Sequence, residues 1–243
     1  MFTRLRARRP GTTLGNLFVY ETMRRLLSLI LRVLYRPVVQ EVTRVPPTGP
    51  VLLAANHQSF LDPPVIGFAV RNRHLDYVAR AGLFASPAFG RLIRALNAIP
   101  ISEEGADAVA IREILRRLEA GRAVLIFPEG SRTPDGAMHE FKRGVAVLVR
   151  RSSCPVMPVA IEGVYDIWPR SSKWPRLFGC RVAVRYGNPI PHDELLRHGP
   201  DAVLDRLRRE IDAMRLELRA ELHRRSGGRF PPSGAGDQGV EAA

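Results

Sequence analysis

His57 and Asp62 are the two residues whose types and spacing suggest acid–base chemistry. An imidazole within reach of a carboxylate is the minimum unit of a general base with an orienting partner. Five steps along a helix leave two side chains ~140° apart, and odd spacing on a strand puts them on opposite faces. A turn brings them together, and Asn56 to Asp62 (NHQSFLD) supplies one. Taken alone, such a pair also fits a loop hydrogen bond or a helix cap. A second cluster runs from Phe127 to Arg132 (FPEGSR). Gly130 lets the backbone bend and expose N–H groups, and Arg132 offers a fork that matches phosphate. Glu129 can orient that arginine or accept from a substrate hydroxyl. A Pro/Gly turn with a surface ion pair is the plainer alternative.

Both clusters follow apolar runs that read as buried strands, Val51 to Ala55 and Ala123 to Phe127. After the first, Asp62 reads as a helix N-cap with Pro63 at the first helical position. Loops after the carboxyl ends of strands are where α/β proteins bind ligands. The rest of the chain alternates in the same way. Further strands are expected at residues 38–42, 75–79, 156–161 and 181–186. Helices are expected near 63–71, 87–96, 107–120, 140–151 and 201–225. This order predicts an α/β fold: a single domain over residues 37–225, with a mostly parallel central sheet flanked by helices. Residues 1–16 read as a basic flexible tail and 226–243 as a disordered one.

Residues 17–36 form an amphipathic N-terminal helix by pattern. Glu21, Arg24, Arg25, Ser28, Arg32 and Arg36 fall in a stripe of roughly 120°, and most other positions are apolar. This suits a membrane-associating helix at the interface. It equally suits a helix whose wide face packs on the domain. No run approaches the ~18–20 uninterrupted apolar residues of a spanning helix, and no secretory signal is read at the N-terminus.

A length of 243 residues and an apolar fraction of 45% allow one domain with a real core. The formal net charge is +13, carried almost wholly by arginine, with lysine only at Lys142 and Lys173. Such a surface favours polyanions: nucleic acid, anionic lipid headgroups or phosphorylated substrates. Cys154 and Cys180 stand alone, with neither zinc spacing nor a disulfide framework, which suits reduced thiols in a cytosolic setting. His74, His139, His192, His198 and His223 read as solvated. Trp168 and Trp174, in DIWPRSSKWPR, read either as an interfacial loop or as a packed surface loop.

Taken together, NHQSFLD, FPEGSR some seventy residues later and then VMPVAIEG resemble the 1-acylglycerol-3-phosphate O-acyltransferase (lysophospholipid acyltransferase) family. Its first motif, His, four residues, Asp, corresponds to His57 and Asp62. Its Phe-Pro-Glu-Gly-Thr/Ser-Arg motif corresponds to Phe127 to Arg132, and its Val/Ile-Pro-Val strand to Val156 to Val159. The likeness covers roughly residues 37–215. Arg80, Leu83, Phe84, Pro87, Phe89 and Gly90 fit the second motif, with Arg for the usual Lys. Glu103 departs from it, standing where an arginine is usual, and that puts the acceptor headgroup in question.

The resemblance implies acyl transfer from acyl-CoA or acyl-carrier protein to the hydroxyl of a lysophospholipid, first of all 1-acylglycerol-3-phosphate, giving phosphatidic acid. His57 is then the general base and Asp62 its orienting partner. Glu129, Gly130, Ser131 and Arg132, with Arg80, form the phosphate site. Backbone N–H groups at the start of the helix after His57 are expected to hold the oxyanion. Neither cofactor nor metal is called for. The expected place is the cytoplasmic face of the cell membrane, peripheral or monotopic. Two rivals come from other classes: a nucleic-acid-binding protein, which lacks a recognisable module, and a catalytically idle membrane-surface protein of the same fold.

Overall fold

A computed structural model describes residues 12–102, 108–197 and 199–240. The expected flexibility of residues 1–11 and the departure at Glu103 lie outside the described residues. Strands are β1 (Val38–Gln40), β2 (Val51–Ala55), β3 (Leu75–Arg80), β4 (Ala98–Ile101), β5 (Ala123–Ile126), β6 (Val156–Glu162) and β7 (Ala183–Tyr186). Helices are α1 (Leu14–Tyr35), α2 (Asp62–Gly67), α3 (Pro87–Ala95), α4 (Ala108–Glu119), α5 (Gly144–Ser152), α6 (Val164–Ile167), α7 (His192–Leu196) and α8 (Pro200–Arg225).

The strands form one sheet in the order β1-β7-β6-β2-β5-β3-β4. Every pairing is parallel except β6 with β7. Central strands β2, β5 and β6 are buried along their whole length. Their near-continuous runs of Val, Ile, Leu and Ala are what a sheet covered on both faces selects. From β2 the chain steps outward through α2 to β3 and through α3 to β4. It then returns through α4 to β5 and through α5 to β6. Right-handed crossovers running in opposite directions put α2 and α3 on one face and α4 and α5 on the other. Helix α8 lies along β6 and β7, and α1 lies against α2 and α3.

The expected α/β architecture is present. Strand β4, in a segment for which no strand is expected from the sequence, completes the sheet edge through Tyr77↔Ala98 to Arg80↔Ile101 pairing with β3. His74, read as solvated, is buried: its ring stacks on Tyr20 with centroids 3.8 Å apart and its Nε2 lies 3.0 Å from Glu21 Oε1.

Helix α1 starts three residues earlier than its periodicity suggested, capped by Thr13 Oγ1, which accepts from the Asn16 N–H at 3.3 Å. It packs on the domain through Leu17, Tyr20, Leu31 and Tyr35, with part of its polar stripe turned inward while Arg25 and Arg32 stay exposed. Glu21 and Arg24, paired at 2.7 Å, face the domain with Ser28, and the Arg24 and Ser28 side chains both donate to the Phe68 carbonyl. Leu14, Phe18, Leu26, Leu29, Ile30 and Val33 are left exposed.

The expectation of a disordered 226–243 tail does not hold for its described part. Residues 226–240 fold back over α8, where Arg215 is fully buried and donates to the carbonyls of Gly236 and Gln238. Arg219 donates to the Pro232 carbonyl at 2.8 Å and pairs with Asp237. Val240 N–H donates to Asp212 Oδ2 at 2.6 Å. Composition alone marks this Gly/Pro-rich stretch as loose. Its carbonyls are the acceptors that two buried guanidiniums require. Ending the chain after Gly228 leaves Arg215 and Arg219 their Glu162 partner but removes these acceptors, and is therefore expected to destabilise the fold by about 1–3 kcal/mol, the scale for buried donors left unpaired. Urea unfolding of the two chains would read this as a lower midpoint.

Candidate active site

The carboxyl ends of β2 and β5 lie level, since Ala54 pairs with Ile126, and β6, paired through Ala54↔Pro158, runs on past them to Glu162. The turn after β2 and the turn after β5 therefore emerge side by side. His57 is fixed between them by its own backbone. Its N–H donates to Glu129 Oε1 at 2.8 Å, and its carbonyl accepts from the Thr133 N–H at 2.8 Å. The ring stacks on Phe127, centroid to centroid 4.1 Å, at 18°.

His57 Nδ1 lies 2.6 Å from Asp62 Oδ2. That same oxygen accepts the backbone N–H groups of Gln58, at 2.6 Å, and Ser59, at 2.7 Å. A carboxylate oxygen already holding two donors takes the imidazole bond as a third acceptor contact, so the proton sits on Nδ1 and Nε2 is left as the base. The His57 side chain is 19% exposed, and no hydrogen bond to a described residue engages Nε2. Asp62 is fully buried. Burial raises its pKa from the ordinary value, opposed by its hydrogen bond to His57 and by the two backbone donors.

Asp62 was expected to cap the following helix. It is instead the first residue of α2, with Leu61 at the cap, and its carboxylate turns back into the loop. The expected oxyanion donors at the start of α2 are also absent. Pro63 and Pro64 carry no N–H, the Asp62 N–H donates to the Ser59 carbonyl, and the Val65 N–H donates to the Leu61 carbonyl.

The turn after β5 holds the other candidates. Gly130 sits at φ +72, a conformation that favours glycine, and a Cβ there would lie 3.0 Å from Lys142 Cγ. Gly130 is exposed, and Ser131 and Arg132 are half-buried. The Arg132 guanidinium lies over the Phe60 ring, 3.6 Å from its centroid, which places this cation beside the His57 turn. Partial burial lowers the Arg132 pKa from its usual value, as do the neighbouring Arg170 and Arg80 charges, while Asp62 opposes the shift. Arg80 reaches the same turn, donating to the Gly130 carbonyl at 3.4 Å. Sequence reasoning singled out Arg132 and Arg80. Arg170, exposed in the loop after α6, adds its charge beside Arg132 from a separate segment of the chain.

Glu129 neither orients Arg132 nor faces outward. Its second oxygen accepts from the His139 N–H at 3.1 Å, so both oxygens are taken by backbone donors of two separate loops. Burial drives its pKa up to about 8, and those two donors oppose the rise. Its geometry is that of a clamp holding His57 in place.

Several positioning residues were not legible in the sequence. Asn56 extends the β2–β6 pairing with its side chain, donating to the Ile161 carbonyl at 3.0 Å and accepting the Ile161 N–H at 2.9 Å. Gln58 is buried. Its Oε1 accepts from the N–H groups of Val164 and Tyr165, and its Nε2 lies 3.2 Å from Glu162 Oε2. Glu162 in turn pairs with Arg215 at 3.4 Å and Arg219 at 3.0 Å, which join the His57 turn to the folded-back tail. The only sequence signal was a polar residue interrupting or abutting an apolar run. No group of three His, Cys, Asp or Glu among the described residues is arranged to hold a metal ion.

Comparison with known proteins agrees with this geometry. The chain is 28% identical over 232 residues to a 1-acyl-sn-glycerol-3-phosphate acyltransferase alpha of Ovis aries, covering 89% of this chain and 76% of that protein. It is 24% identical over 149 residues to the chloroplastic 1-acyl-sn-glycerol-3-phosphate acyltransferase BAT2 of Brassica napus, spanning 60% of this chain but only 43% of the plant protein. Its fold matches the crystal structure of the 1-acyl-sn-glycerophosphate acyltransferase PlsC from Thermotoga maritima with a TM-score of 0.73 at 24% identity, over 90% of this chain and 88% of that one. The acyltransferase family model matches residues 36–162, which take in both turns and strands β1 to β6. With more than half its length matched and the His57–Asp62 pair in place, this chain belongs to the acyltransferase family.

Proposed function

We propose that the protein transfers a fatty acyl group from a thioester, acyl-CoA or acyl-carrier protein, to the free hydroxyl of 1-acylglycerol-3-phosphate, giving phosphatidic acid. The observation that carries the reading is the 2.6 Å His57–Asp62 contact with Nε2 left available, beside the arginine-bearing turn. The acceptor hydroxyl oxygen attacks the thioester carbonyl while Nε2 takes its proton. The tetrahedral intermediate collapses, the C–S bond breaks, and the imidazolium returns the proton to the departing thiolate. Asp62 stabilises the imidazolium. No acyl-enzyme forms, since the nucleophile belongs to the acceptor. Arg132 and the Gly130–Ser131 backbone bind the acceptor phosphate, with Arg80 at the rim. Glu129 serves as the clamp on His57. The oxyanion is held by donors outside α2.

Both substrates carry alkyl chains, and α1 supports a place at the membrane surface. Leu14, Phe18, Leu26, Leu29, Ile30 and Val33 are exposed along it beside the exposed Arg25 and Arg32, an apolar outer face with cations that suits a headgroup layer better than water. No helix among the described residues is long and apolar enough to cross a membrane. Peripheral or monotopic attachment to the cytoplasmic face follows from this reading.

Full-length protein on vesicles, given a labelled long-chain acyl-CoA or acyl-carrier protein and a panel of lysolipids, tests it. Phosphatidic acid is the expected product. Arg132→Ala is expected to raise KM for 1-acylglycerol-3-phosphate by about 10–100-fold with kcat little changed, the scale of one charge-assisted hydrogen bond. An acceptor lacking phosphate would be unaffected. Glu103, where family members usually carry arginine, favours a second reading in which another lysolipid is the acceptor. Turnover of that lipid alone would establish it and leave the His57 chemistry unchanged.

A further inference from the structure

Residues 168–178 (WPRSSKWPRLF), between α6 and β7, are a built loop with its apolar side chains turned outward. At its root Trp168 meets Phe60 edge-on, centroids 5.6 Å apart, and its carbonyl accepts from Ser59 Oγ at 2.9 Å. Its indole N–H donates to the Ser172 carbonyl at 3.1 Å. Ser172 N–H donates to Pro169, and Ser172 Oγ donates to the Trp174 carbonyl at 2.8 Å. The Arg176 N–H closes the loop on the Ile167 carbonyl at 2.8 Å. The Arg176 carbonyl accepts from Tyr35 Oη, at 3.0 Å, on the last residue of α1. Yet Trp174 is 80% exposed, Phe178 77% and Leu177 50%.

A hydrogen-bonded loop has no need to display two aromatic rings and a leucine to water. The side chains between them select the medium. Arg170, Lys173 and Arg176 are all exposed within the same eleven residues, and no carboxylate occurs among these eleven. Apolar and aromatic groups interleaved with cations match the interfacial layer of an anionic bilayer, with rings at headgroup depth and cations at the phosphates. The loop also adjoins the C-terminal end of α1, where Leu29, Ile30 and Val33 are exposed.

We propose that residues 168–178 are a second membrane-seated element, inserting Trp174, Leu177 and Phe178 into the surface of an anionic phospholipid bilayer beside α1. Through Trp168 and Ser59 this loop sets how the catalytic turn meets the lipid surface. The proposal rests on the reading of the protein as a membrane-surface enzyme and adds to it a separate docking element near the site.

The test uses full-length protein on vesicles of phosphatidylcholine and phosphatidylglycerol whose acyl chains carry bromine. Tryptophan emission should be quenched, and Trp174→Phe should lose most of the quenched component. Trp174→Ser with Phe178→Ser should weaken partitioning onto these vesicles by about tenfold or more. It should slow turnover of bilayer-held acceptor and leave turnover of a short-chain soluble acceptor unchanged. Lys173→Gln with Arg176→Gln should reduce the preference for anionic over neutral vesicles. Trp174 emission that stays unquenched while the protein floats with the vesicles overturns the loop's role and leaves attachment by α1 intact. An acidic protein partner seated on the loop would give that same unquenched result. Failure to bind vesicles at all contradicts both readings.

Discussion

Replacing His57 by alanine is expected to lower kcat for acyl transfer by roughly 10²–10⁴, the contribution of a positioned general base. The substitution removes the base and little else. The contacts that hold this turn, His57 N–H to Glu129 and Thr133 N–H to the His57 carbonyl, are made by the backbone and survive it. Asp62 keeps its two backbone donors. Loss of the stacking on Phe127 is the main packing change. The variant should therefore fold, and KM for the acceptor should move little because the arginines are untouched. Initial rates against acceptor concentration separate the two parameters. A kcat within about fivefold of wild type would exclude His57 as the base.

Asp62 gives the second large effect, and the geometry divides it into two parts. Three donors converge on Oδ2, while Oδ1 is buried and has no hydrogen-bond partner among the described residues. In Asp62→Asn the amide oxygen must occupy the Oδ2 position, because an NH₂ there would face three donors. His57 then keeps its Nδ1–H tautomer and loses only the charge that steadies the imidazolium. A loss in kcat of about 10–100-fold follows, the worth of a charged over a neutral hydrogen bond. Asp62→Ala leaves two buried N–H groups unpaired and the imidazole unheld. It is expected to cost the full 10²–10⁴ or so of base catalysis and to destabilise the fold by about 2–4 kcal/mol. Measuring kcat and the urea midpoint for both variants separates the parts. Equal losses in kcat would refute the tautomer argument.

What was legible in the sequence was whatever a local pattern encodes. The apolar runs marked β2, β5 and β6, and turn residues marked the two loops that become neighbours once β2 and β5 pair. That His57 and Asp62 meet required only a turn, and it is there. Strand β4 was hidden because AIPI contains a proline and follows a helical pattern, although an edge strand tolerates proline. The tail from 226 to 240 was misjudged because its partners, Arg215, Arg219 and Asp212, lie on another element and leave no trace in its own composition. Glu129 was misread for a related reason. A glutamate beside an arginine reads as a surface pair, whereas the fold brings two backbone donors from distant loops onto it. For α1 the period was legible and the orientation was not. Which stripe faces the domain depended on His74 and the Phe68 carbonyl, both outside the helix.

The central claim is that His57 moves a proton in a direct transfer from thioester to lysolipid. One reaction tests it: full-length protein on vesicles with labelled long-chain thioester and 1-acylglycerol-3-phosphate, with lipid product and intact protein mass followed together. The account predicts phosphatidic acid in step with thioester loss, no acyl group on the protein, and near-silence from His57→Ala. Product formed through an acylated protein, or undiminished by His57→Ala, would contradict it.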